Sequence, residues 1–199
     1  MNTNSIKLLM EVNDKLITAC IFHSESHQLM DFLSLNGFSA LHLYQHYSES
    51  LFKTKLKTFL IRTYECCPDD TIVEDFGLIR ELLKNRSRAD IPVKEKCEII
   101  KRAFAEYIKW EQEALSLYEQ ISRELSSAGD IKSYSLIKEL VDDVAQELSE
   151  LKNMIQTYDL MNWSMEQIIA EQDTLAEKFL FKLKNIFSDI PKYHHFNSI

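Results

Sequence analysis

The segment Ser126-Ser127-Ala128-Gly129-Asp130 divides a long stretch of helical apolar periodicity, residues 103–158, into two arms. Gly129 can adopt the left-handed backbone conformation that ends a helix, and Asp130 beside it is a good N-cap for the next helix. A connection this short folds the second helix back against the first. The stretch therefore predicts an αα-hairpin of two long antiparallel helices.

Apolar side chains recur on both arms at alternating steps of about three and four residues, as a helix with one buried face requires. The first stripe reads Phe104, Ile108, Glu111, Leu115, Tyr118 and Leu125. The second reads Ile137, Val141, Val144, Leu148, Leu151, Ile155 and Tyr158. Glu111 is the charged member of an otherwise apolar seam. Because a buried charge must be paired, Glu111 is a candidate functional residue.

Composition restricts both the fold and the class of partner. A chain of 199 residues is long enough for one domain with a proper core, and it contains only three Gly and three Pro. Few helix breakers favour an almost wholly helical protein. The formal net charge of −8, from 31 acidic and 23 basic residues, argues against a whole-molecule nucleic-acid surface and suits a cavity that attracts cations.

The cysteines and the N-terminus predict a soluble cytoplasmic protein. Four cysteines, at positions 20, 66, 67 and 97, form no C-x-x-C pair, and we expect reduced, mostly buried thiols. The N-terminus lacks the charged-then-apolar order of a signal peptide. No apolar run approaches the roughly 20 residues that span a bilayer. We therefore expect no membrane partner.

Periodicity predicts three more long helices and one short one. The first has two apolar rows, one with Leu8, Val12, Ala19, Phe22 and Leu29, the other with Leu9, Leu16, Cys20 and Met30. In chain order the predicted segments are a first helix over 4–31, a second from about 38 to 65, a crossover over 66–91 with a short helix within 73–85, the hairpin helices over 92–127 and 130–158, a fifth helix over 164–187 and a tail over 188–199.

The lengths of the connections predict the topology. Short turns join the first two helices and the last two bundle helices, so each pair is antiparallel. One long crossover between the pairs makes the second and third helices run parallel, which is the connectivity of ferritin-like four-helix bundles. The sequence thus predicts a single all-α domain, with the bundle over residues 4–158 and the fifth helix added to it.

Polar side chains interrupt two of the predicted seams. His42, Gln45 and Glu49 lie in the N-terminal half of the second seam. His23 and His27 lie one turn apart on one face of the first helix, a spacing that can ligate a metal. Without a matched carboxylate, the alternative is that both histidines are hydrogen-bonded interface residues.

The pattern Phe38-x-x-Leu41-His42 after a glycine, with the short crossover helix and the later Gly129 turn, resembles the ferritin superfamily and in particular its Dps (DNA-protection-during-starvation) miniferritin branch. The resemblance covers roughly residues 8–158. It implies oxidation of ferrous iron at a di-iron site and storage of the ferric product inside a homo-oligomeric cage. Of the four Dps ligands only His42 is kept, since the other positions fall on Met30, Lys57 and Ile61.

The resemblance to true ferritins keeps more of the metal site. Its carboxylates fall on Glu49, Glu111 and Glu147, whereas Phe52 replaces a His and Lys15 replaces the first-helix Glu. The implied metal ligands are Glu49, Glu111, Glu147 and His42. The alternative is a pseudo-site in which an ion pair of Lys15 with these carboxylates takes the place of iron.

Two functions remain open from the sequence. One is a Dps- or ferritin-like cage subunit that sequesters or stores iron with a weakened or lost ferroxidase centre. The other is a non-catalytic helical scaffold that acts through protein contacts. A di-iron oxygenase is disfavoured because no Glu-x-x-His occurs on a bundle helix. DNA binding is not expected, since the terminal segments offer only Lys7 and Lys192 for phosphate contacts.

Overall fold

The structure, a computed structural model, describes residues 3–69, 87 and 91–194, with the backbone alone from 189 to 194. This part of the chain forms five helices and no strand: α1 (Thr3–Phe32), α2 (Asn36–Tyr64), α3 (Val93–Ser127), α4 (Ile131–Leu160) and α5 (Met165–His194). The all-α prediction is confirmed. The short helix predicted within 73–85 lies outside the described residues. None of the described helices has the length and apolarity to cross a membrane.

The α3–α4 hairpin has the predicted turn chemistry. Gly129 adopts a φ of 72°, and the backbone N–H of Asp130 donates to Leu125 O at 3.0 Å. The Asp130 carboxylate caps α4 by accepting from Ser133 N at 3.2 Å. The hydroxyl of Tyr64, at the end of α2, also donates to this carboxylate. One aspartate therefore starts α4 and ties it to α2.

Gly37 has a different role from the predicted helix break. Helix α2 begins at Asn36, so Gly37 lies in its first turn. A Cβ atom at Gly37 would lie 2.6 Å from the backbone O of Gln172 and 2.7 Å from the Cβ of Leu175, both on α5. The side chain of Gln172 accepts from the N–H groups of Gly37 at 3.0 Å and Phe38 at 3.2 Å. Glycine is needed here because two helices approach closely, which no local pattern reveals.

Two apolar clusters at opposite ends of the bundle show how the helices run. The first cluster joins the end of α1, the starts of α2 and α3 and the end of α4 through Met30, Phe38, Phe104 and Tyr158. The second joins the opposite ends of the same four helices through Leu9, Leu60, Leu125 and Ile137. Helices α2 and α3 therefore run parallel and each pairs with an antiparallel neighbour, as the connection lengths predict.

Helix α5 packs on its own bundle and runs parallel to α2. From the start of α2 towards its middle, Gln172 caps the helix, Phe179 meets Tyr44 at a ring-centroid distance of 6.1 Å, and Phe187 meets Tyr47 at 5.0 Å. The helix continues to His194, beyond the predicted end at 187. Pro191 removes one backbone N–H, so a single hydrogen bond near the helix end is lost.

The four cysteines are thiols and form no disulfide, but they are less buried than expected. Cys20 is buried on α1, whereas Cys66 and Cys97 are partly buried and Cys67 is exposed. Helix α2 ends at Tyr64, so Cys66 and Cys67 lie beyond it in the segment that precedes Pro68. The prediction of mostly buried thiols is therefore wrong for the segment after α2.

Candidate metal centre

A layer of polar side chains separates the two apolar clusters. On α2, α3 and α4 these residues fall between the last member of one cluster and the first member of the other, except Tyr107, which also belongs to the first cluster. The layer, called the polar layer below, consists of His23 from α1, His42, Gln45 and Glu49 from α2, Tyr107 and Glu111 from α3, and Glu147 from α4. Four helices thus direct ionisable groups towards the middle of one bundle.

His23 and Glu111 form the centre of the layer. Nε2 of His23 lies 3.5 Å from Oε1 of Glu111, and the two side chains are 1% and 2% exposed. Neither atom has a hydrogen-bond partner. The contact is not an ion pair at neutral pH, because burial, reinforced by His46, lowers the pKa of His23 from 6.5 to about 3. A neutral imidazole and a buried carboxyl therefore face each other without a hydrogen bond, and leaving a buried polar group unpaired costs about 1–3 kcal/mol.

Glu147 completes a group of three donors. Ligand atoms of His23, Glu111 and Glu147 all lie within 4.8 Å of one another, the one such group among the described residues. In a tetrahedral site with ligands about 2.1 Å from the ion, neighbouring donors are about 3.4 Å apart. Donors near the 4.8 Å limit would therefore have to approach by about an ångström to share one cation with the others. The Tyr107 hydroxyl donates to Oε1 of Glu147 and holds this carboxylate in place.

His42 contacts the group through His23. The Nδ1 atoms of His23 and His42 are 3.1 Å apart, so one of them donates to the other. If Nδ1 of His23 carries the proton, Nε2 keeps its lone pair towards Glu111. His42 then accepts the bond and fixes the tautomer of His23, which is the usual role of a residue behind a metal-ligating histidine.

Glu49 lies beside the three donors and is 8% exposed. Its Oε2 atom has no hydrogen-bond partner. Burial raises the pKa of Glu49 well above its ordinary value, and the charges of Glu111, Glu147 and Asp143 raise it further. Glu49 and Glu111 thus face inward and influence each other, as their positions in apolar seams predict.

The carboxyls hold protons strongly when no cation is present. Burial raises the pKa of Glu111 to about 8, with Lys15 opposing the shift. Burial also raises the pKa of Glu147 well above its ordinary value, and the charge of Glu111 adds to this, while the Tyr107 hydroxyl opposes it. At neutral pH the layer therefore combines neutral imidazoles with largely protonated carboxyls. A bound cation would replace those protons.

Lys15 lies near the layer and packs on an aromatic ring. Its Nζ atom is 3.2 Å from the ring centroid of Trp110, a cation–π contact. Its charge lowers the pKa of Glu111, so it acts on the carboxyls electrostatically. Lys15 therefore supplies a positive charge that acts on Glu111.

Of the four expected ligands, Glu111 and Glu147 lie with His23 in the group of three donors, whereas Glu49 and His42 lie elsewhere in the same layer. Glu49, Glu111, Glu147 and His42 all lie in the polar layer, with Lys15 next to it. Sequence reasoning did not place His23 in this group, and it missed Tyr107. The available signal was that His23 extends the row of Leu9, Leu16 and Cys20. His27, the other histidine of the possible metal-binding pair, is a hydrogen-bonded residue that contacts Ser39 through Nδ1, 2.8 Å from Oγ and 3.0 Å from O.

No known family profile matches the sequence, and no curated protein matches it either. Among solved structures, one described as a humanized archaeal ferritin superposes with a TM-score of 0.66. The two chains are 13% identical, and the match covers 88% of this chain and 97% of the other. This similarity establishes a ferritin-like fold for the chain.

Proposed function

We propose that this protein binds a divalent transition metal in the polar layer and handles iron as a ferritin-like subunit. The ligands are His23 Nε2 and the carboxylates of Glu111 and Glu147, with Glu49 as the next carboxylate. His42 orients His23 from behind. This set replaces the ligand set inferred from resemblance, in which His42 was itself a ligand.

One observation carries the proposal: Nε2 of His23 and Oε1 of Glu111 are buried, 3.5 Å apart, and lack hydrogen-bond partners. Buried polar atoms in proteins are nearly always paired. The imidazole nitrogen and a carboxylate oxygen can both donate electron pairs to one cation, which would displace the proton of the Glu111 carboxyl. A cation satisfies both at once, and Glu147 stands ready as a third donor.

The donor chemistry fits iron. Imidazole nitrogen suits iron, zinc and copper, while carboxylate oxygen suits harder cations such as manganese. A set of one imidazole and two or three carboxylates lies between these preferences and suits Fe²⁺ and Mn²⁺. The ferritin-like fold favours iron as cargo. In such a role ferrous iron supplies the oxidisable electron. The residues of this chain attract the cation by their charge, shield it from water and hold it in position.

The incomplete ligand set favours sequestration over fast oxidation. Lys15 adds positive charge where a further carboxylate would hold a second ion, so two adjacent divalent cations would be repelled. We infer a homo-oligomeric subunit that holds iron with a weakened or lost ferroxidase centre. No role in DNA binding is proposed.

The test is metal binding with matched variants. Isothermal titration of untagged, chelator-treated protein with anaerobic Fe²⁺, and separately Mn²⁺ and Zn²⁺, is expected to show one tight site per chain. Glu111→Gln and His23→Phe should each weaken it at least tenfold. Glu113→Gln, an exposed neighbour of Glu111 on α3, is the control and should bind as the wild type does. Absence of stoichiometric binding to the wild type would refute the proposal.

The scaffold alternative rests on a separate observation. Helix α5 leaves Ile169, Leu180 and Phe181 exposed at 59%, 50% and 66%, outside the face that packs on α2. Large exposed apolar side chains are typical of contact surfaces when they form a patch. Light scattering separates the two functions when combined with metal analysis. A large closed oligomer that binds iron supports the cage, whereas a metal-free monomer or dimer supports the scaffold.

A further inference from the structure

A cavity of about 220 Å³ opens between α2 and α4 and reaches the polar layer. Glu139, Asp143 and Glu147 line it from α4 at a spacing of four residues, so they follow one face of the helix. Glu139 and Asp143 are exposed and Glu147 is partly buried. This row of acidic side chains therefore extends from solvent to Glu147, a proposed metal ligand.

Glu49 lines the same cavity from α2. It is 8% exposed, and its Oε2 atom has no hydrogen-bond partner. A buried carboxylate oxygen without a partner costs free energy unless a cation visits it. This atom distinguishes the cavity from an ordinary cluster of surface acids, because it places an unsatisfied acceptor at the inner end.

Lys55 is the cationic residue among the described residues that line the cavity. Its ammonium group pairs with the carboxylate of Glu139 at the outer end, and the two side chains are 36% and 57% exposed. An exposed pair of this kind contributes little stability and exchanges readily with solvent. Lys55 can therefore leave Glu139 without disturbing the bundle.

A second cavity, of about 300 Å³, approaches Glu147 from the side that α5 covers. Its lining includes Lys178 and Lys182, both within 3.7 Å of Glu150. Two ammonium groups make this approach less favourable for a cation than the cavity that holds Lys55 alone. Cavities lined by one sign of charge concentrate the opposite ion and speed its association.

We propose that the cavity between α2 and α4 is the port through which divalent cations reach the polar layer. The cation passes inward along the carboxylates of Glu139, Asp143 and Glu49 and so reaches Glu147. Lys55 slows this passage by pairing with Glu139. This inference rests on the proposed metal binding. It adds an entry route for the cation and a residue, Lys55, that slows entry. It also predicts changes in the rate of metal association, which a purely structural role of these residues would not produce.

The test is stopped-flow mixing of the full-length protein with Co²⁺, whose visible absorption reports ligation, at low and high salt. Asp143→Asn should slow association by about three- to tenfold, and Lys55→Met should speed it by a similar factor. The equilibrium affinity should change less than either rate, since neither residue ligates the bound ion. Both effects should shrink in high salt, which screens exposed charges.

Matched controls lie one or two residues away on the same helices. Asp142→Asn removes an exposed carboxylate that does not line the cavity, and Lys57→Met removes a lysine of α2 that does not line it. Both should associate as the wild type does. Unchanged rates in Asp143→Asn and Lys55→Met, or acceleration by Lys182→Met instead, would overturn the port. Failure of the wild type to bind Co²⁺ would overturn the metal site itself and the port with it.

Discussion

Nε2 of His23 on α1 lies 3.5 Å from Oε1 of Glu111 on α3, and neither atom has a hydrogen-bond partner. Burial shifts the two pKa values in opposite directions, to about 3 for His23 and about 8 for Glu111. Both groups are therefore mostly neutral near pH 7 when no cation is bound. The pH dependence of stability should reveal this state.

Stability of the metal-free protein should fall as the pH rises from about 6.5 to about 8. The folded-state pKa of Glu111 is raised above 4.5, so its contribution is complete below 4.5 and is lost as the pH rises through 8. Each such carboxyl changes the unfolding free energy by up to about 1.4 kcal/mol per pH unit. In Glu111→Gln, the unfolding free energy measured with urea at several pH values should therefore depend less on pH.

The control for this experiment is Glu113→Gln, whose exposed side chain should leave the slope unchanged. His23 opposes this slope below pH 6.5, because its pKa is lowered from 6.5 to about 3 and its contribution to stability is lost as the pH falls through that range. Saturating Mn²⁺ should oppose the loss at high pH, since metal competes with protons for the carboxylates. An identical slope in Glu111→Gln would contradict the burial of an ionising Glu111.

His42→Phe should weaken metal binding although His42 is not proposed as a ligand. Removing the acceptor of the 3.1 Å Nδ1–Nδ1 contact frees His23 to carry its proton on Nε2, where it blocks ligation. Loss of such a supporting partner typically costs about 10–100-fold in affinity. Nitrogen chemical shifts of metal-free protein should show His23 protonated on Nδ1 in the wild type and mixed tautomers in the variant. Unaltered tautomers would refute the positioning role.

Lys15→Met should raise metal affinity. Its ammonium group lowers the pKa of Glu111 and repels a cation at the same carboxylates. An effective dielectric constant of about 20 makes this repulsion worth one or more kcal/mol, hence about tenfold in affinity. Lys7→Met, at an exposed position of α1, is the control in calorimetric titration. Weaker binding in Lys15→Met would instead support an ion-pair network that organises the layer.

Gly37→Ala should detach α5 from the bundle. The new methyl group would lie 2.6 Å from Gln172 O and 2.7 Å from the Cβ of Leu175, so the helices must separate. Such overpacking costs about 1–3 kcal/mol. Limited proteolysis should cut α5 faster in this variant.

Gly129→Ala provides the contrast for Gly37→Ala. It strains a backbone with a φ of 72° but has no atom within 4 Å of the added carbon. It should lower overall stability by about 1 kcal/mol without exposing α5 to protease. Equal protease sensitivity in both variants would show that Gly37 does not control docking.

The sequence by itself determined the helices, the α3–α4 turn and the burial of Glu49 and Glu111. These features are local: Gly129 and Asp130 act within one turn, and a carboxylate that stands in an apolar stripe is carried inward with it. The direction of each helix also followed, because connection length limits how a chain can return. Iron as a partner came only from resemblance.

Tertiary structure alone decided which polar groups meet. His23 contacts Glu111 because packing along both apolar clusters sets the rotation of α1 about its axis. A small rotation of α1 would turn His23 towards solvent or into one of the apolar clusters. Likewise, the close approach of α5 explains why position 37 is a glycine. The position of α5 on the bundle depends on contacts between residues far apart in the chain. Such choices depend on the fit of whole helix faces, which a pattern along one helix does not contain.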